Sequence, residues 1–147
     1  MRIDPTGAGA LIVAAALAAC TANPTPPRIA PWAGEFLRAW YVAYNQGDAL
    51  RVSNFFTADG ALGAIRGRDK IRASLAEDFS TTSYHCTGHF EGFQEVEAMA
   101  VAWGVDTCTE THRLHGPVPA RERWLITFER QTDGQWLVSR ETWVALP

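Results

Sequence analysis

The chain has 147 residues, 13 basic and 16 acidic side chains and a net charge of −3. The two signs are interspersed and no basic stripe forms, which excludes a nucleic acid or other polyanion as the expected partner. Six tryptophans, seven phenylalanines and 47% hydrophobic residues supply a core for one domain of this size.

The first feature in chain order is the apolar run from Ala10 to Ala19. At about ten residues it is too short to span a bilayer and right for a signal-peptide core. It closes on Leu17-Ala18-Ala19-Cys20, which resembles the lipobox of bacterial lipoproteins. The resemblance implies a signal peptide over residues 1–19 and a lipidated Cys20 as the new N-terminus. It also implies an exported protein held at a membrane surface of the cell envelope and facing an oxidising compartment. Several acyl chains anchor stably where one binds marginally. Thr21, which is not an aspartate, implies the outer membrane in a Gram-negative host. Two other readings of this stretch stand: an ordinary secretory signal that leaves Cys20 as an odd thiol, and an untranslocated chain. Residues 20–30, rich in proline and small polar side chains, read as a tether. The domain proper is 31–147.

Pro31 sits where a first helical residue is favoured and Gly47 where a helix ends. Between them Phe36, Leu37, Trp40, Tyr41 and Tyr44 recur at helical spacing. Asp48 is a cap for a short second helix through Leu50, Val52, Phe55 and Phe56. Thr57 to Gly60 reads as a turn into a short strand, Ala61–Ile65. Asp69 opens a third helix carrying Ile71, Leu75 and Phe79. Arg66-Gly67-Arg68 before it reads as a solvated turn.

After Thr81 the period becomes two. Met99, Val101, Trp103 and Val105 alternate with Ala100, Ala102 and Gly104, so one face of that strand is bulky and the other nearly bare. A turn near Glu97-Ala98 pairs it with Tyr84–Phe93. Leu114 to Pro119 reads as a loop. Asp133-Gly134 signals a two-residue hairpin that pairs Arg121–Arg130 with Trp136–Ala145. Three helices followed by an antiparallel meander make an α+β arrangement.

The aromatic helix ending in Asn45-Gln46-Gly47-Asp48 resembles the SnoaL-like branch of the nuclear transport factor 2-like superfamily. So do Asn54-Phe55-Phe56-Thr57-Ala58-Asp59, the Arg66-Gly67-Arg68-Asp69-Lys70-Ile71 start of helix three, and the Asp133-Gly134-Gln135-Trp136 hairpin. The resemblance implies a cone: a strongly curved sheet wrapped around the long helix, enclosing a pocket. It leaves function open, because the superfamily includes isomerases, dehydratases, epoxide hydrolases and cyclases as well as proteins that only bind or assemble. The catalytic positions of its ketosteroid isomerases fall near Trp40, Ala64 and Ile126, whose side chains cannot do that acid–base work.

Glu141 is the first candidate catalytic residue. The two-residue turn sets Glu141 opposite Ile126, Ser139 opposite Phe128 and Trp143 opposite Trp124, on a face that is otherwise apolar. A carboxyl there is desolvated, and its pKa rises toward the range of a general acid or base. A one-residue slip of register would turn it to solvent instead. His85 and His89 are the second candidates. With the bulky odd-numbered face turned inward, they meet Val105 and Thr109 inside the cone; the alternative is a solvated or core role. They lie about 13 Å apart along the strand, too far to share a metal ion. His112 and His115 read as surface residues. No metal-binding spacing is present, so no metal and no cofactor is expected.

Cys86 and Cys108 face each other in the same register, on the side away from the pocket. A disulfide fits there, with two small free thiols as the alternative. Candidate ligand-binding residues are Trp40, Tyr44, Trp103, Trp124, Ile126, Phe128, Ser139 and Trp143.

Three functions remain. The first is a lipid-anchored domain that binds a small, largely apolar molecule without transforming it. The second is an acid–base enzyme of dehydratase, cyclase or epoxide-hydrolase type that uses Glu141 with a pocket histidine. The third is a homodimeric assembly module, docking through an outer sheet face that carries Leu125, Trp136 and Val138.

Overall fold

The computed structural model describes residues 27–147. Cys20 and the signal-peptide and tether assignments before residue 27 lie outside the described residues. Three helices, α1 (Pro31–Asn45), α2 (Ala49–Ser53) and α3 (Arg68–Thr81), accompany six strands: β1 (Phe56–Leu62), β2 (Ile65–Arg66), β3 (Thr82–Val96), β4 (Met99–His112), β5 (Gly116–Arg130) and β6 (Trp136–Ala145). The strands form one sheet in the order β2-β1-β6-β5-β4-β3. All pairings are antiparallel except β1 with β6, which is parallel, so the sheet is mixed where a simple meander was expected. The sheet is curved and is not closed into a barrel.

Local chemistry accounts for the helix ends. Pro31 occupies the first turn of α1, where no N–H is needed. At the other end Gly47 takes φ +66° and the Asp48 N–H returns to the Ala43 carbonyl at 3.0 Å. The Asp48 carboxylate then caps α2 by accepting the Arg51 N–H at 2.9 Å. Helix α2 stops at Ser53, short of Phe55 and Phe56, because Phe56 enters β1 and is fully buried there. Thr57 to Gly60, expected as a turn, continues that strand through an irregular pairing with β6. The turn comes later, at Gly63 with φ +56°. Arg68 is not simply solvated: its Nε donates to the Phe56 carbonyl at 2.9 Å, tying the start of α3 to β1.

Strand β5 begins at Gly116, so the expected loop from Leu114 to Pro119 shrinks to a tight turn. Pro117 and Pro119 lie opposite Thr111 and Thr109, beyond the reach of β6, where a missing N–H leaves no gap in a ladder.

The core lies between the concave face of the sheet and α1. Phe36, Leu37, Trp40 and Ala43 from the helix pack on Ala100, Ala102, Trp124, Ile126, Phe128 and Val138. The nearly bare face of β4 is therefore the covered one, and the bulky face is outside. Space above Ala100 and Ala102 is filled by aromatic side chains of α1, not by the strand's own. This reverses the expected orientation of β3 and β4 while their register stands: Cys86 is opposite Cys108 and His89 opposite Val105.

Val138 and Trp136, expected on an outer docking face, point inward. Val138 is fully buried and Trp136 stacks on Trp32 at 4.6 Å. Leu125 alone of that trio is exposed.

Candidate functional site

At the end of the cone beyond the core lies a cavity of about 580 Å³. Helix α1 contributes Trp40, Tyr41 and Tyr44, and α3 contributes Leu75 and Asp78. The sheet adds Tyr84, Cys86, Asp106, Cys108, Glu110, Glu122, Trp124, Glu141 and Trp143. The large residues have room because the backbone opposite is bare. A side chain at Gly88 would collide with the Tyr41 hydroxyl, and one at Gly104 would collide with the Trp124 ring.

Glu141 reaches the cavity through two departures from a regular hairpin. The loop runs from Gln131 to Gln135, so Arg130 pairs with Trp136 and Phe128 with Val138. A β-bulge then lets β6 gain one residue, and from Thr127–Arg140 onward the partners are Ile126–Glu141 and Trp124–Trp143. Ser139 is the extra residue. It turns outward and hydrogen-bonds the Thr127 hydroxyl at 2.9 Å, so it is not opposite Phe128 as expected. Without that bulge, strict alternation from the buried Val138 would aim Arg140 inward and Glu141 out.

Burial is the largest influence on the Glu141 carboxyl, with the Asp106 and Glu122 carboxylates adding to it. Together they push its pKa up from 4.5 to about 8. Its Oε2 is inaccessible and has no hydrogen-bond partner. The Asp106 carboxyl is raised by burial, and Glu122 by burial and then by Asp106 and Glu110. Asp106 Oδ1 and the Trp124 indole N–H are likewise buried without a hydrogen bond. The phenols of Tyr41, Tyr44 and Tyr84 are all raised, burial being the first cause in each. Tyr84 also donates to Asp78 Oδ2 at 2.7 Å. At neutral pH the cavity therefore holds a protonated glutamic acid among neutral phenols, groups able to donate or accept a proton or a hydrogen bond.

Of the residues singled out from sequence, Glu141, Trp40, Tyr44, Trp124 and Trp143 meet at this cavity. Ile126 and Phe128 are buried in the core beneath it. Trp103 lies on the outer face across Gly92. His85 and His89 are exposed on that face, so neither stands beside Glu141. The same reversal brings Cys86 and Cys108 to the cavity wall, where a disulfide joins them. His112 and His115 stack on each other at 5.2 Å where β4 turns into β5. Among the described residues no group of three or more His, Cys, Asp or Glu side chains is arranged to hold a metal ion. Sequence reading missed Asp106, Glu110 and Glu122. Their signal was the alternation of Asp106, Cys108 and Glu110 in phase with Ala100 and Ala102.

No family model and no curated protein matches the chain. Solved structures do. A ketosteroid isomerase-like protein from Erwinia carotovora atroseptica superposes with a TM-score of 0.69 at 21% identity, over 75% of this chain and 90% of that one. A protein of unknown function from Mycobacterium tuberculosis gives a TM-score of 0.70 at 16% identity, over 78% and 74% of the two chains. A conserved protein from Planctomyces limnophilus gives 0.64 at 20% identity, over 78% and 98%. At such identities the likeness is one of fold. The chain has the nuclear transport factor 2-like fold, three helices on a curved mixed sheet with a cavity at the open end of the cone.

Proposed function

We propose that the domain binds a small, largely apolar molecule in this cavity without transforming it, with Glu141 as the polar group that sets the ligand's orientation. The observation that carries this reading is the buried, unpartnered Oε2 of Glu141 on an aromatic-lined wall. A buried polar atom without a partner costs about 1–3 kcal/mol, and a ligand group supplies the missing bond. The volume lies in the range of ordinary ligand pockets. Acyl chains on Cys20 hold the protein at the exported face of a membrane; the Leu17–Cys20 motif and a disulfide suited to an oxidising compartment support this.

Native mass spectrometry of the chain from Thr21 onward, exported to the periplasm and purified gently, tests the first part. The expected result is a co-purifying small molecule that Glu141→Gln loses; a bare protein unmoved by metabolite and lipid screens would sink it. For the anchor, Cys20→Ala is expected to abolish acylation and leave the protein out of the purified outer-membrane fraction. Unchanged mass and partition would overturn lipidation.

One observation favours a second reading, acid–base catalysis by Glu141. Its pKa, pushed up to about 8, leaves it able to give or take a proton near neutral pH. Tyr41 and Tyr44, not a histidine, share the cavity with it and feel its charge. Dehydration, cyclisation and epoxide opening are the reactions it suits. Turnover of such a substrate should fall at least about 100-fold in Glu141→Gln.

A further inference from the structure

The residues that line the cavity carry several carboxyl groups, Asp78, Asp106, Glu110, Glu122 and Glu141 among them, and no Lys, Arg or His. They come from α3, β4, β5 and β6, so no single element's surface charge explains the grouping. Tyr44, Tyr84, Trp124 and Trp143 are among the other lining residues. Two carboxylate oxygens in the cavity, Glu141 Oε2 and Asp106 Oδ1, are buried and accept no hydrogen bond.

Each class of guest meets this lining differently. An anion is repelled by the ionised carboxyls and meets no basic side chain among the lining residues. A neutral apolar body fills the volume but leaves the acceptors unpaired and the charge uncompensated. A bare metal ion finds no cluster of three ligands among the described residues. A quaternary ammonium gains the aromatic faces but has no N–H to give. A protonated amine answers both needs: its N–H groups pair the free oxygens, and its charge is favoured by carboxylates and aromatic faces alike.

We propose that the cavity is a site for a protonated amine carried on an apolar body, with the ammonium seated against the carboxyls of Glu141 and Asp106 and the body among the tryptophans and tyrosines. This rests on the reading that the cavity binds a small molecule, and it names that molecule's class. The carboxyls sit above their ordinary range because they are buried and crowd one another, so the entering cation draws them into their ionised form. Binding therefore releases protons, and affinity rises with pH up to about 8 while the amine stays charged. Tyr41 and Tyr44 from α1, Glu77 and Asp78 from α3, Tyr84 from β3, Asp106 and Glu110 from β4 and Glu122 from β5 are the titratable groups that line the cavity with Glu141 among the described residues, none of them basic.

The experiment compares paired probes on the chain from Thr21 onward by isothermal titration: octylamine with octanol, and tryptamine with tryptophol and N-trimethylated tryptamine. The expected result is amines at least about ten-fold tighter than their alcohols, with proton release in buffers of differing ionisation enthalpy. That preference should collapse in Glu141→Gln and in Asp106→Asn and persist in Glu129→Gln, an exposed acid outside the cavity. Two substitutions at the site guard against one that merely unfolds the chain. Alcohols as tight as amines would overturn the amine proposal and leave cavity binding standing. Trimethylated tryptamine as tight as tryptamine would overturn the N–H pairing on which the proposal stands. An amine preference lost equally in all three variants would show general charge attraction and overturn the site. Silence from every probe would overturn the cavity reading as well.

Discussion

Asn45 closes both free backbone groups of Cys86. Its side-chain carbonyl accepts the Cys86 N–H at 2.7 Å and its amide donates to the Cys86 carbonyl at 2.9 Å. Strand β3 is the sheet edge, and the Cys86–Cys108 pair has a Cα separation of 4.0 Å, the close spacing of a non-hydrogen-bonded pair. The N–H and C=O of Cys86 therefore point away from β4, toward the last residue of α1. One amide docks the end of the helix and blocks a stretch of open edge. Asn45→Ala is expected to lower stability by about 1–3 kcal/mol. Asn45→Asp should cost more, since it keeps the acceptor but sets a carboxylate against the Cys86 carbonyl. Urea unfolding of the three proteins measures both.

The disulfide of Cys86 and Cys108 joins β3 to β4 beside that clamp. Replacing both cysteines by serine is expected to cost about 2–4 kcal/mol, the usual range for a bridge that restrains the unfolded chain. Because both cysteines line the cavity, ligand affinity should weaken as well. Thermal unfolding with and without reductant, alongside titration of whichever ligand the domain retains, reads the two effects separately.

The helices were legible because a 3.6-residue period needs no partner to be seen: Phe36, Trp40 and Ala43 fall on one face whatever covers them. The faces of β3 and β4 were not. Alternation tells which residues share a face and is silent on which face is covered. Bulk is no sign of the inside in β4: the covered row is the bare Ala100-Ala102-Gly104, because the helix brings the large side chains. A two-residue turn gives the observed Ile126–Glu141 pairing only because two departures cancel. The loop is longer than the two residues Asp133-Gly134, and the bulge at Ser139 restores the count. Bulges are set by tertiary pairing, and the sequence of β6 carries no local mark of this one.

Gly88 is a place where that packing can be broken by one methyl group. The Tyr41 hydroxyl occupies the space a Cβ at 88 would need. Gly88→Ala is expected to cost about 1–3 kcal/mol by overpacking. Removing the hydroxyl with Tyr41→Phe in the same chain should recover part of that loss. A double-mutant cycle measures the coupling, and additive effects would show that the two residues do not touch.

The Glu141 carboxyl should also leave its mark on the pH dependence of stability. Its pKa is near 4.5 in the unfolded chain and about 8 in the folded one. Between those values the folded state holds a proton that the unfolded state has lost, so this group's contribution is full below pH 4.5 and is lost as the pH rises toward 8. Asp106 and Glu122 are raised too and act in the same sense. Glutamine has the shape of the protonated acid and does not titrate. Glu141→Gln should therefore match the parent protein at low pH and melt higher at pH 8, by about 5 °C or more for a domain of this size. Calorimetry across that range decides it. Two parallel curves would mean that Glu141 ionises like a solvated glutamate, and with that the case for it as the polar anchor of the cavity would fall.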